Sequence, residues 1–354
     1  MSKSGWMARH ADFPWLSLDD RARVEESLRA IGTLAPGEHV ARIAKAGEGN
    51  MNLTLRAMLS RAGDVRTVIV KQSRPWVEKY NQIDAPWDRA NVEAAFLRRA
   101  GTIPDVALRM PRLLGDDPQR RILVTEDLGA GSDFSFRYSA RGDATALDPR
   151  VLKQLGEWLA ALHDATANQF DPALANRAMR ALNHAHMFEI PLNDPPMLDL
   201  DALSHGLADA ARELRDDTVF RQSVRAAAER YLADGLCLLH GDFFPGSWLK
   251  TERGVFVIDP EFGYFGDREF DLGVAVAHLA LAERSMTEPA TFLNAYGAQK
   301  FDRQRIGINA GIEVMRRLIG VAQLPLRADA NRAALLQRAR AAVIRKDWQC
   351  LWSD

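Results

Sequence analysis

Cysteine is almost missing from this sequence of 354 residues. Cys237 and Cys350 are the only two, and they form neither a CxxC pair nor a framework of bridges. A disulfide-stapled fold and a zinc ribbon are therefore excluded, and two buried, idle thiols in a reducing compartment are expected. Long hydrophobic runs are missing as well: the longest, 272–282, contains His278 and is short of the ~20 residues a bilayer span needs. Residues 1–9 show no apolar leader core, so a cytoplasmic protein without a membrane partner is expected. Charge of one sign is also lacking. With 46 Lys+Arg against 47 Asp+Glu, bulk charge offers no reason for a nucleic-acid partner.

What is there is ordinary globular material, 47% apolar and 26% charged, with 24 Gly and 16 Pro, too few for a disordered or fibrous chain. The length exceeds what one core usually serves, so two lobes are expected, and an enzyme is favoured over a small adaptor. Ser17, followed by Asp19 and Asp20, reads as the N-cap of a leading helix that stops at Gly32. Short β runs follow at 40–44, 53–59 and 67–71, then a helix over 88–100, then strands at 112–114 and 121–125, for about five strands in all. Helical spacing dominates from 149 onward, over 149–167, 200–214, 219–233, 269–282, 303–322 and 331–348. One β-rich insertion, 236–242 and 255–259 around a Gly-rich turn, interrupts it. The element order predicts an α+β protein. An N-terminal β-rich lobe over 1–128 with a leading helix, and a helical lobe over 129–354, are expected.

The chemistry concentrates in the insertion. Asp242, Asp259 and Glu261 stand at the ends of apolar strands, where carboxylates suit either a divalent cation or a general base. The Asp259-Pro260-Glu261 spacing turns two carboxylates to one side of an extended segment. His240 reads as a hydrogen-bonding residue of the loop. His184-x-His186 has no third ligand nearby and reads as loop. Gly129-Ala130-Gly131 is not a dinucleotide fingerprint, because Phe134 stands where its last Gly belongs.

The run His240-Gly241-Asp242, Ser247 five positions on, then Asp259-Pro260-Glu261-Phe262 and Phe270-Asp271-Leu272-Gly273 resembles the methylthioribose kinase family. That family lies within the aminoglycoside phosphotransferase and choline kinase superfamily, relatives of protein kinases. Glu48-Gly49-Asn50-Met51-Asn52-Leu53 resembles its nucleotide loop, Val68-Ile69-Val70-Lys71-Gln72 its lysine strand, and Asp88-Arg89-Ala90-Asn91-Val92-Glu93 the start of its paired helix. Glu313 to Gly320 resembles its double-arginine helix. These matches run in order from about Gly47 to Ala322.

The resemblance implies a bilobal protein-kinase-like fold and an ATP- and Mg²⁺-dependent phosphotransferase acting on a sugar hydroxyl, 5-methylthioribose above all, in a chain that forms a homodimer. It implies that Gly49, Asn50, Asn52, Lys71, Glu93, Glu126 and Leu128 contact nucleotide and that Asp259 and Glu261 hold Mg²⁺. Asp242 would deprotonate the acceptor, and Arg316 and Arg317 would contact it, with His240 and Ser247 supporting the loop. Ser247 either holds that loop or touches metal through a water. Two arginines would repel aminoglycosides and choline, which favours a neutral sugar. Phe243-Phe244-Pro245 differs from the family's loop, which keeps a kinase of another small sugar, alcohol or aminoglycoside as the rival. A non-catalytic nucleotide-binding module of the same fold is the second rival.

Overall fold

The structure is a computed structural model that describes residues 3–47, 51–139, 146–283 and 285–352. The chain divides into two compact units. Residues 1–130 together with 259–261 make the first, and 131–258 with 262–354 make the second.

In the first unit, α1 (Lys3–Arg9) and α2 (Arg21–Ile31) precede a five-stranded sheet. Its strands are β1 (His39–Lys45), β2 (Leu53–Arg61), β3 (Asp64–Gln72), β4 (Leu113–Asp117) and β5 (Ile122–Glu126), in the antiparallel order β1-β2-β3-β5-β4. Helices α3 (Arg89–Ala100) and α4 (Pro104–Ala107) fall between β3 and β4. Alternation along the strands decides which side chains meet which layer. Leu55, Ala57 and Leu59 of β2, Val68 and Val70 of β3, and Ile122 and Val124 of β5 form one buried core with Val24 and Leu28 of α2. Lys71, one residue past Val70, therefore points to the other face.

Asp20, rather than Ser17, caps α2: its Oδ1 accepts the backbone N–H of Arg23 at 3.0 Å. Ser17 Oγ instead accepts from Asp19 N at 3.1 Å. A hydroxyl that closes a local turn two residues on is not available to cap a helix that starts later.

The second unit opens with β6 (Gly131–Asp133) and α5 (Pro149–Ala165). There follow α6 (Arg177–His184), α7 (Leu200–Leu203), α8 (Leu207–Asp216) and α9 (Thr218–Leu232). Four short strands come next, β7 (Cys237–Leu239), β8 (Trp248–Thr251), β9 (Gly254–Val257) and β10 (Tyr264–Gly266). The chain then runs through α10 (Glu269–Leu281), α11 (Thr287–Tyr296), α12 (Arg303–Ile319) and α13 (Arg332–Arg345).

Several expectations change here. The apolar runs at 236–242 and 255–259 do not pair with each other: β7 pairs with β10, whereas β9 pairs with β8, which also pairs with β6. Apolar pattern identifies a strand but not its partner. The expected helix over 200–214 is two helices: Ser204 is extended after Leu203, and the left-handed Gly206, at φ 76°, stands before the second helix. His184 and His186 are not in a loop; α6 runs straight into a π-helical turn, Ala185–Glu189. Helix α10 is buried over its whole length and packs on α12. Both cysteines are free and buried, and burial pushes the Cys237 thiol up to about 12. Among the described residues no helix is long and apolar enough to cross a membrane.

Candidate active site

The first unit gathers charges around the end of β3. The Lys71 ammonium donates to Glu93 Oε1 at 2.6 Å and also pairs with Asp259. Burial opposes its charge, but the carboxylates of Asp259 and Glu93 outweigh burial and raise its pKa above the ordinary lysine value. Register explains the lysine. Lys71 lies opposite Leu123 in β5 and Thr54 in β2, and α3 begins with Arg89 and brings Glu93 in on its second turn.

The acids at 259 and 261 do not share one side of an extended segment. Asp259 is left-handed, at φ 60°, and Pro260 to Phe262 form a 3₁₀ turn. Proline fixes its own φ in helical range and disfavours the right-handed helical region for the residue before it. A sharp exit from β9 therefore passes through the left-handed region, which Asp tolerates better than most residues. The two carboxylates take different partners. Asp259, half-exposed, meets Lys71. Glu261, buried, accepts from Asn52 Nδ2 at 2.9 Å and lies 3.4 Å from Arg89 Nε. Burial pushes the Glu261 carboxyl up to about 7; Arg89 pulls against that shift, while Glu93 and Asp259 add to it.

Arg89, which sequence reasoning did not single out, is fully buried. It donates to the backbone carbonyls of Arg74 and Pro86, each at 2.7 Å, and of Met51 at 2.5 Å. It thereby ties α3 to the segment beside Asn52. Its signal was available: a cation in the first turn of a helix, where the macrodipole favours anions, needs another reason to be there.

Asn52 is buried with its Oδ1 unpartnered. Gly49 and Asn50 lie outside the described residues. Glu126 ends β5, accepts from Arg112 Nε at 3.2 Å, and is followed by the buried Leu128. Between them Asp127 pairs with Arg56 at 2.6 Å and accepts from Gly129 N at 3.0 Å, which fixes the connector.

Asp259, Glu261 and the unpartnered Asn52 Oδ1 offer only oxygen donors, a chemistry that would suit a hard cation such as Mg²⁺ better than zinc. Among the described residues no three His, Cys, Asp or Glu form a complete metal cage. An ion held here would draw further oxygens from water or phosphate, as Mg²⁺ does.

The second unit builds a different constellation around Asp242, just beyond β7. Asp271, at the start of α10, accepts the backbone N–H groups of His240 at 2.7 Å and Gly241 at 2.9 Å. His240 Nε2 donates to the Ile258 carbonyl at 3.0 Å, and Ser247 Oγ donates to the Asp242 carbonyl at 2.8 Å. Gly241 takes φ 82°, and a Cβ there would come within 2.2 Å of the Phe262 carbonyl oxygen, so no other residue fits without backbone movement. Phe243 fills the core beneath, stacked on Trp158 at 5.6 Å. The loop is thus clamped from both sides, and Ser247 belongs to the clamp.

The Asp242 carboxylate faces Arg317, whose Nη2 lies 3.4 Å from its Oδ1. Burial pushes the Asp242 carboxyl up, and Arg317 and Arg316 hold back that rise. Both arginines are buried, and both reach Glu313 one turn earlier on α12: Arg317 Nε donates at 2.6 Å and Arg316 Nη1 at 3.1 Å. The pair is buried together because Glu313 lies within reach of both, at i+3 and i+4.

The phosphotransferase enzyme family matches residues 61–307. Methylthioribose kinase of Pectobacterium atrosepticum is 31% identical over 272 residues, which is 72% of this chain and 64% of that protein. The Klebsiella pneumoniae methylthioribose kinase is 31% identical over 250 residues, 67% of this chain and 59% of that one. The chain therefore spans less than two thirds of the length of these relatives. Among solved structures, choline kinase from Streptococcus pneumoniae aligns with a TM-score of 0.51 and 14% identity over 91% of this chain and 98% of that one. A choline/ethanolamine kinase family protein from Mesorhizobium loti aligns with a TM-score of 0.51 and 19% identity, over 95% and 99%. At such identity the likeness is one of fold, and it agrees with the expected protein-kinase-like α+β architecture. With the family match covering most of its length, the chain belongs to the phosphotransferase enzyme family.

Proposed function

We propose that the protein is an ATP- and Mg²⁺-dependent kinase that phosphorylates the 1-hydroxyl of 5-methylthioribose. The observation that carries this reading is the meeting of Lys71 with Asp259, 188 residues further along the chain, and with Glu93. A phosphate-binding ammonium beside cation-binding carboxylates is the equipment that phosphoryl transfer from ATP requires.

In this reading Lys71, held by Glu93, binds nucleotide phosphate oxygens. Gly49, Asn50 and Asn52 belong to the loop over those phosphates, and the connector residues Glu126 and Leu128 offer backbone groups to adenine. Asp259 and Glu261 hold Mg²⁺, which when bound neutralises charge on the transferring phosphoryl group. Asp242 orients the acceptor hydroxyl and takes its proton as the oxygen attacks. Arg316 and Arg317 contact the acceptor, and His240 and Ser247 keep the Asp242 loop in shape. The guanidinium pair is offset by Glu313 and Asp242 and leaves no acidic excess for a polycation or quaternary amine, so a neutral sugar is favoured over an aminoglycoside or choline. Such a substrate fits a cytoplasmic enzyme, and a homodimer is the assembly proposed.

Coupled ADP release across a panel of sugars, amino alcohols and aminoglycosides tests the reading. Methylthioribose is expected to give the largest kcat/KM, with the Asp242→Ala rate lower by about 10³. Turnover of an aminoglycoside or choline alone would overturn the substrate assignment, and an unchanged Asp242→Ala rate would overturn the mechanism.

A further inference from the structure

Two groups outside the motifs, His278 and Tyr138, lie behind the arginine pair and Glu313. His278, buried on α10, has Nε2 at 3.0 Å from Glu313 Oε1 and Nδ1 at 2.5 Å from the hydroxyl of Tyr138, itself buried in the turn Ser135–Tyr138. Only one placement of hydrogens satisfies all of these contacts. Arginines donate and cannot accept, so Glu313, which Arg316 and Arg317 hold ionised against the effect of burial, is acceptor only. His278 Nε2 must therefore carry its hydrogen. Burial keeps the His278 ring neutral, depressing its pKa to about 4, so Nδ1 is an acceptor and the Tyr138 hydroxyl donates to it.

We propose that the Tyr138–His278–Glu313 chain positions the Arg317 guanidinium for acceptor binding. This rests on the acceptor-site reading given above. Arg317 gives Nε to Glu313 at 2.6 Å, which leaves Nη2 directed at Asp242. The ring of Phe244 lies 5.1 Å from the guanidinium on one side and 4.9 Å from the His278 ring on the other. The guanidinium is thus held at Nε by Glu313, lies beside the Phe244 ring and reaches the Ala322 carbonyl through Nη1 at 3.5 Å, so its orientation depends on where Glu313 points. Nothing but His278 anchors Glu313 from outside α12 among the hydrogen bonds described. Phe244, which departs from the family's loop sequence, links the two halves of the device. Tyr138, His278 and Glu313 are positioning residues: none needs to touch substrate.

The experiment uses the full chain, with KM measured separately for acceptor and for ATP. His278→Phe, which lacks both ring nitrogens, is expected to raise the acceptor KM about tenfold, the scale of one buried hydrogen bond, with the ATP KM within about twofold. His278→Gln, which keeps one donor and one acceptor, should recover most of that loss. Tyr138→Phe removes only the hydroxyl and serves if His278→Phe does not fold; it should raise the acceptor KM by a smaller factor. Nitrogen-15 shifts of the wild-type ring at neutral pH should show a protonated Nε2 and a bare Nδ1. Unchanged acceptor KM in the variants, no rescue by Gln, or a protonated Nδ1 would overturn the proposal. If the wild type phosphorylates no sugar at all, the kinase reading fails, and the ring nitrogens alone decide the chain: the shifts should move in Glu313→Gln if the proposal holds, and unmoved shifts would overturn it.

Discussion

The two units hold ionic clusters of opposite logic. In the first, Lys71 and Arg89 face three carboxylates, Glu93, Asp259 and Glu261, so acid is in excess and the Glu261 carboxyl is pushed up to about 7, chiefly by burial with its acidic neighbours adding to the shift. In the second, Arg316 and Arg317 face Asp242 and Glu313, and the neighbouring His278 is neutral. An acid-rich cluster welcomes a cation, which is what a Mg²⁺–nucleotide requires. A balanced cluster has no net charge to offer an amine and favours a neutral partner. Acids and bases thus serve different chemistry according to how many of each are buried together.

Substitutions that affect one cluster should leave the other half of the kinetics alone, and any crossover breaks the comparison. The largest effect belongs to Asp242→Asn, which should lower kcat by about 10³, the middle of the range for a general base, with nucleotide binding unchanged by equilibrium titration. Lys71→Met comes next. It should reduce kcat/KM for ATP by about 10², and it strands Glu93 in the interior, where breaking a buried pair costs about 3–5 kcal/mol; a thermal melt like that of wild type would show that the pair is not buried as described. Glu261→Gln should raise the Mg²⁺ concentration for half-maximal rate about tenfold, the scale on which outer partners and ligands alter metal affinity, and leave the acceptor KM alone.

The smallest effect is one of direction. With Asp242 as the proposed base, its raised pKa should place the acid limb of kcat/KM above the ordinary Asp range, with activity lost as pH falls through that limb. Arg317 holds the value down, so in Arg317→Met the acid limb should move to higher pH in a rate–pH profile. A limb that moved the other way would mean that Arg317 does not act on Asp242 through its charge.

Motif-bearing residues were legible because each sits in a short run whose order along the chain is informative, as with Lys71 at the end of an apolar strand and Asp242 after His240-Gly241. The strands of the first unit were legible for the related reason that alternation and turn residues are local. Asp259 was misread because a pattern of Asp-Pro-Glu does not reveal that the proline excludes one backbone region for its neighbour and a tight exit from β9 then requires the left-handed one. Ser17 was misread because two capping residues compete within three positions, and the outcome depends on where the helix axis begins.

By itself the sequence determined the globular composition, the α+β order of elements, and the short runs that carry Lys71, Glu93, Asp242, Asp259, Glu261, Arg316 and Arg317. Only the tertiary structure decided that 259–261 packs with the first unit, that Glu261 belongs to Arg89 and Asn52, and that Glu313, His278 and Tyr138 stand behind the arginines. The reason is separation. Tyr138 and His278 are 140 residues apart, each unremarkable among its own neighbours, and only burial in common makes their polar atoms find one another, because a buried donor or acceptor without a partner is costly.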